Sequence, residues 1–315
     1  MTWFDSRLYG GSRDLPLLID FARSNMLARL PGGTYWKPGD VTWQFYRLRG
    51  KACEDVELWL DEDGLAGVVA FEPPAVMAFD VRADLRLDAP LLDEMLAWAA
   101  GRRAALAAPG EQTPRAYAGL STGISTLVAA SDSEREAALA QRGYTRGREG
   151  GVRFAVSLRE GVPGDILPRG MRLRYATDAD IAARAAAHRA AWSVWGTSKF
   201  SEEAYRELRA APLYDERLDV ILEDVDGRIV SYCICWADEE AGVGHFEPVG
   251  TDAAFSRRGF GKLVVHEGLR RLRERGMHTA LVGTAWVNEA ARALYPASGF
   301  ELVDLEWWWE RPATH

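Results

Sequence analysis

Arg257-Arg258-Gly259-Phe260-Gly261-Lys262 separates a strand-like apolar run, Gly244 to Thr251, from an amphipathic run, Gly261 to Arg275. Together the three pieces spell strand, glycine turn and helix. Glycines let the backbone turn so that successive N–H groups point inward, and the helix N-terminus adds partial positive charge. Such a loop can hold a pyrophosphate, with Arg257, Arg258 and Lys262 adding charge-assisted contacts to phosphate oxygens. A Gly-x-Gly turn also caps many solvated helices, so its meaning depends on what flanks it.

Outward from the loop the signals keep a definite order. Met171 to Ala176 alternates like a strand, and Thr177-Asp-Ala-Asp180 supplies capping residues for an alanine-rich helix reaching Trp195. Ser201-Glu-Glu-Ala204 sets an N-cap and two acids at the start of a second helix that ends near Pro212. Leu218 to Leu222 and Ile229 to Trp236 are strand runs around the hairpin signature Asp224-Val-Asp-Gly227. After the loop come a strand from Thr279 to Thr284, a helix from Glu289 to Ala297 and a strand from Phe300 to Trp309. The order β-α-α-β-β-β-α-β-α-β mixes hairpins with crossover helices and predicts a mixed α/β sheet flanked by helices.

At 315 residues, 48% hydrophobic and 27% charged, the chain has core material for two domains and is not a disordered polymer. Leu158 to Gly170 is rich in proline and glycine, lacks either hydrophobic period, and reads as a linker (158–170) between domains at 1–157 and 171–315. The first half repeats the second in weakened form. Glu57 to Gly64 and Leu65 to Phe71 form a hairpin pattern, Leu91 to Arg103 a helix, and Ala137-Ala-Leu-Ala-Gln-Arg-Gly-Tyr144 parallels Ala293-Leu-Tyr-Pro-Ala-Ser-Gly-Phe300. Aligning the glycines sets Asp132 opposite Asn288 and Leu139 opposite Tyr295, which indicates an internal duplication of domain length. The net charge of −8 is spread over both halves and does not favour nucleic acid. No run approaches the roughly 18–20 apolar residues that cross a bilayer, so a cytoplasmic protein without a membrane partner is expected. Cys53, Cys233 and Cys235 suggest buried thiols rather than a disulfide framework or metal ligands, and no metal is expected.

Five pieces, Glu247-Pro-Val-Gly-Thr251, the Arg-Arg-Gly-Phe-Gly loop, Gly268-Leu-Arg-Arg-Leu-Arg-Glu-Arg-Gly276, Val282-Gly-Thr284 and Asn288-Glu-Ala-Ala-Arg-Ala-Leu-Tyr295, follow one another in an order that resembles the GCN5-related N-acetyltransferase (GNAT) superfamily. The resemblance runs from about Leu173 to Trp309. It implies two tandem GNAT-like domains, the first a degenerate copy, and acetyl-CoA as the acyl donor with coenzyme A as product. By resemblance, Gly259, Phe260 and Gly261 with Arg257, Arg258 and Lys262 would hold the pyrophosphate. Val249 and Thr251 would offer main-chain groups to the acetyl and pantetheine portion, with Asn288 near the same arm. The family's loop usually carries Gln or Arg three residues before its first glycine. Here that position is Ser256, which leaves the grip more to the backbone.

Tyr295 lies two turns after Asn288 on the same helix face, and in the family the matching tyrosine protonates the departing thiolate. A phenol with a pKa of ~10 suits that role. The acceptor is expected to be a primary amine of a small molecule or peptide. An amine with a pKa near ~10 arrives as ammonium, so a base is needed. Glu247 and His245, two apart on one strand, are the candidates; His188, near Trp192, reads as packing. Trp192, Trp195 and Trp236 are candidate pocket walls, and one of Trp307 to Trp309 should meet the domain interface or a second subunit of a monomer or homodimer. In the first half Val81 to Pro90 has no glycine and Leu139 replaces the phenol, so one active site per chain is expected. Two alternatives stay open: a noncatalytic acyl-CoA-binding or regulatory protein, and a mycothiol-synthase-like tandem enzyme acting on an amino-sugar thiol.

Overall fold

A computed structural model of the chain describes residues 4–30, 35–48, 50–73, 75–85, 87, 90–105, 123–196 and 198–312. The first half runs β1 (Asp5–Leu8), α1 (Leu15–Arg29), α2 (Pro38–Phe45), β2 (Val56–Asp61), β3 (Gly64–Glu72), β4 (Val76–Val81), α3 (Pro90–Ala105), β5 (Ile124–Ala129), α4 (Ser133–Ala140) and β6 (Thr145–Ser157). The second runs β7 (Arg172–Tyr175), α5 (Ile181–Trp192), α6 (Glu202–Arg209), β8 (Asp219–Glu223), β9 (Ile229–Asp238), β10 (Val243–Thr251), α7 (Phe260–Glu274), β11 (Thr279–Ala285), α8 (Glu289–Ala297) and β12 (Glu301–Arg311). The two halves have the same order of elements, and residues 158–170 between them hold neither helix nor strand.

Local chemistry sets the boundaries. Asp180 accepts from the Thr177 backbone N–H at 2.8 Å, and Ser201 Oγ accepts from the Ala204 N–H at 3.1 Å, so the predicted caps start α5 and α6. α5 stops at Trp192, short of Trp195, where the Ser193 hydroxyl donates to the Ala190 carbonyl at 2.8 Å and Gly196 takes a positive φ. Among the described residues no helix is long and apolar enough to cross a membrane.

The twelve strands of the described residues join one sheet in the order β1-β2-β3-β4-β5-β12-β6-β11-β10-β9-β8-β7. The sheet is mixed and mostly antiparallel, as expected, with parallel neighbours at β4 with β5 and β10 with β11. The last strands of the two halves are exchanged. β6 lies on β11 from Ser157↔Thr279 to Gly151↔Ala285, and β12 lies on β5 from Glu306↔Ala129 to Arg311↔Ile124. β6 and β12 also pair with each other at the centre.

The cores follow this exchange. Val152, Phe154 and Leu158 of the first half pack into the core beneath α7, while Trp309 of the second packs into the core beneath α3. A third cluster joins α1, α2 and β3 to Phe200, Tyr205, Leu208 and Trp236 of the second half. Tyr46 Oη donates to the Ala204 carbonyl at 2.8 Å across the same contact.

A fragment beginning at Arg172 lacks the strand that covers one edge of β11. It is expected to unfold without cooperativity or to aggregate, whereas one beginning at Tyr144 retains β6 and should melt cooperatively. Thermal denaturation of the two fragments compares them directly, and a cooperative melt of the shorter one would contradict the expectation.

Candidate active site

β10 and β11 pair at Val243↔Thr279, Gly244↔Ala280 and His245↔Leu281. Past His245 no further register with β11 is found among the described residues, and the strands part. On its other edge β10 bulges: Phe246 faces Cys235 and Val249 faces Cys233, so three steps on β10 span two on β9. The bulge holds the cis Glu247–Pro248 peptide, and Trp236 Nε1 donates to the Glu247 carbonyl at 2.6 Å.

The strand leads into the glycine loop. Gly259 takes φ 80° as the N-cap of α7 and no side chain caps the helix, so its first-turn N–H groups are open to an anion. Arg257 also adopts the left-handed region, at φ 62°. Arg257, Arg258, Gly259 and Lys262 are exposed, whereas the Phe260 ring is buried beside Phe255 and anchors the turn. A Cβ on Gly261 would come within 3.3 Å of both Leu294 and Thr251 Oγ1, so the loop lies close against α8 and the end of β10. Gly268 lets α7 lie flat on the sheet, since a Cβ there would meet Cys235 Sγ and the Phe246 ring at 2.6 Å.

Asn288 caps α8, its Oδ1 accepting from the Ala291 N–H at 3.2 Å. Two turns later the buried Tyr295 ring packs against Phe300 and against Phe154 of β6, with centroids 5.8 and 5.7 Å away. Burial, then the nearby Glu247 carboxyl, push the Tyr295 phenol well above its ordinary pKa. Glu247 itself is pushed up to about 8, by burial first and by the Asp40 charge second, with Lys37 opposing.

Asp40 comes from the other half of the chain. Its Oδ1 lies 3.0 Å from His245 Nε2, and its Oδ2 accepts from Lys37 Nζ at 2.6 Å and the Lys37 N–H at 3.1 Å. Burial disfavours the Asp40 charge, but His245 and Lys37 outweigh it and hold the carboxyl well below the usual range. Burial pulls the His245 pKa below its ordinary value, with the Asp40 charge opposing. One ligand-type atom each from Asp40, His245 and Glu247 lie within 4.8 Å of one another, a spacing compatible with a cation; the Lys37 ammonium already supplies positive charge there.

Residues 185–300 match the acetyltransferase (GNAT) family. The chain is 31% identical over 188 residues to a mycothiol acetyltransferase of Saccharomonospora viridis, a match spanning 56% of this chain and 60% of the relative. A 64-residue stretch is 44% identical to the mycothiol acetyltransferase of Nocardia farcinica, covering 20% of this chain and 21% of that one. Among solved structures, a GCN5-related N-acetyltransferase from Sphaerobacter thermophilus superposes with TM-score 0.64 at 19% identity over 99% of this chain and 97% of its own. A tandem GNAT protein from the clavulanic acid biosynthesis pathway gives TM-score 0.62 at 14% identity over the full length of both. These establish the tandem GNAT fold.

The first half's counterpart of the cleft is filled. β4 and β5 pair in parallel at Val76↔Ser125, and beyond that point the buried Arg135 bridges them, donating to the Phe79 carbonyl at 2.8 Å, to Asp80 at 2.8 Å and to Asp132 at 3.2 Å. Tyr35 lies under the guanidinium, 3.6 Å from its centroid, with its hydroxyl on Asp132 at 3.0 Å. Asp132 caps α4 as Asn288 caps α8, and Leu139 is fully buried where α8 presents Tyr295. Residues 86, 88 and 89 of the glycine-free Val81 to Pro90 stretch lie outside the described residues.

Between the halves lies a cavity of about 800 Å³, lined by Glu247, His245 and Thr284 from the second half and Lys37, Asp40 and Trp43 from the first. Trp192 and Trp308 also line it, whereas Trp236 is buried beneath α2. His188 is a packed histidine, hydrogen-bonded to Tyr232 Oη at 2.9 Å and held down to about 3 by burial and Arg184. Sequence reasoning missed Lys37 and Asp40. The Lys37-Pro-Gly-Asp40 run signals a helix start, but nothing local says which strand that helix meets.

Replacing Gly259 and Gly261 together by Asp puts two carboxylates at the open start of α7 and strains the left-handed turn. Acetyl-CoA affinity should fall at least roughly tenfold, as expected when like charge and lost backbone contacts combine. Calorimetric titration measures this, and unchanged affinity would remove the loop from the cofactor site.

Proposed function

We propose that the protein is an acetyl-CoA-dependent N-acetyltransferase with one active site, built in its second half and roofed by its first. One observation carries the reading: a half-buried carboxyl pushed up to about 8, Glu247, and a buried phenol kept protonated, Tyr295, act on each other electrostatically where β10 and β11 part. The residues suit the cofactor, since the start of α7 has open N–H groups, a left-handed glycine and three exposed cations beside it. The loop residues Arg257 to Lys262 would hold the pyrophosphate, and the main chain of Val249 and Thr251, with Asn288, the pantetheine arm. Bound there, acetyl-CoA supplies the thioester carbonyl that the amine attacks and the thiolate that leaves.

Glu247 takes a proton from the acceptor ammonium, and the freed amine forms the N–C bond as the C–S bond breaks. Tyr295 gives its proton to the thiolate sulfur. The second proton shed by nitrogen restores Tyr295 through solvent, and the net proton leaves from Glu247. His245, bound to Asp40, orients the site. Because the Glu247 carboxyl is raised, it is protonated and idle at low pH and becomes a base as pH rises through about 8. Activity should rise over that range.

The matched relatives favour one acceptor class, an amino-sugar thiol of the mycothiol acetyltransferase kind, and the cavity is within the size range of such ligands. Coenzyme A release against a panel of amines, amino sugars, a cysteinyl amino sugar and peptides tests both statements. Tyr295→Phe should lower kcat about 100-fold and leave the KM for acetyl-CoA within about twofold. Release with none of the amines, alongside tight acetyl-CoA binding, would mean a noncatalytic acyl-CoA-binding protein instead.

A further inference from the structure

We infer that Lys37 and Asp40, carried by the first half, are positioning residues of the second half's active site: their ion pair fixes His245 and sets the electrostatic environment of Glu247. The inference rests on the reading of Glu247 as base. It makes the degenerate half a structural part of the catalytic centre beyond its role as a roof.

The geometry starts at Gly39. A Cβ there would fall on the Trp236 indole, so only glycine lets α2 settle directly on β9. The same indole donates to the Glu247 carbonyl at 2.6 Å. One tryptophan thus registers α2 against the bulge that presents Glu247. With α2 seated, both Asp40 oxygens are used: Oδ1 by His245 Nε2 at 3.0 Å, Oδ2 by Lys37 Nζ at 2.6 Å. Asp40 is ionised, so His245 carries its proton on Nε2 and leaves Nδ1 without a hydrogen-bond partner. The Glu247 carboxyl lies beside this chain and accepts no hydrogen bond from it. It therefore senses Asp40 and Lys37 through their charges.

Lys37 and Asp40 face Glu247 from α2 and the residue before it, His245 from its own strand, and Tyr295 from α8. Arg153 and Glu306, paired at 2.5 Å, face it across the cavity from β6 and β12. The two nearest charges act in opposite directions. Removing the Asp40 charge relieves repulsion and makes Glu247 a weaker base, whereas removing the Lys37 charge makes it harder to ionise. General loosening of the site would admit water and lower the Glu247 midpoint in both variants.

That difference in sign is the test, and it needs no acceptor. In the full chain labelled with carboxyl-¹³C glutamate, the Glu247 resonance is assigned by its loss in Glu247→Gln and titrated with pH. A midpoint near 8 is expected in the natural protein. Asp40→Asn should move it to lower pH by roughly one unit, and Lys37→Met should move it to higher pH. In Asp40→Asn the ¹⁵N shifts of His245 should also lose the strong preference for the Nε2–H tautomer. Opposite displacements support the assignment; no displacement, or the same direction in both, overturns it. Should Asp40→Asn not fold, Lys37→Met decides alone, since loosening lowers the midpoint and loss of the ammonium raises it. Displaced midpoints with no coenzyme A release from any amine would reject the acetyltransferase reading and leave the electrostatic unit standing.

Discussion

Strand exchange at the middle of the sheet governs everything else in this molecule. β6 and β12 run side by side, each completing the sheet of the opposite half, so the register of one half constrains the other through backbone hydrogen bonds. Phe154 of β6 then presses on Tyr295, and Trp309 of β12 fills the first half's core. Two independent domains would place their inter-half contacts at a polar, adjustable surface. Here the contact is a continuous ladder with a shared apolar cluster, and side chains from both halves can be held at hydrogen-bonding distance in one buried site.

The duplicated architecture is symmetric in element order and asymmetric in chemistry. In the second half the parallel strands part and leave an opening between the bulge of β10 and the bare start of α7. In the first half the equivalent opening is filled by a guanidinium, an aromatic face and two carboxylates. Removing one member of such a buried, paired cluster typically costs about 3–5 kcal/mol because a charge is left unpaired, so the group that fills the opening is held together as a unit. A cleft that packs itself shut can be rigid. A cleft that must admit a ligand cannot.

Most of the second half was legible because its signals are local. Ser201, Thr177 with Asp180, and Asn288 each cap the helix that follows them in sequence, and the Gly259 turn is fixed by its own φ. The duplication was also legible, since Asp132 and Asn288 occupy the same capping position in the two halves. The strand exchange was not, because a closing strand such as β12 reads the same from its own residues whichever partner it chooses. Lys37 and Asp40 were invisible for the same reason: 205 residues separate Asp40 from His245, and a local pattern carries no information about a contact of that range.

The same asymmetry reaches the two counterpart helices, α2 and α6, that meet through Tyr46 and Ala204. Each opens at an N-cap, Lys37 in one and Ser201 in the other, and the third residue of each helix hydrogen-bonds back to that cap, Asp40 through its carboxylate and Ala204 through its N–H. In α2 that residue is Asp40, beside a histidine and a glutamate of the opposite half; in α6 it is Ala204, packed in the shared apolar cluster. A charged residue buried at an inter-half contact is costly unless it is paired. Asp40 is paired twice, beside the point where β10 and β11 part, and its counterpart in α6 is apolar. At these two counterpart positions the buried, paired charge therefore falls on the side where a proton would have to be moved.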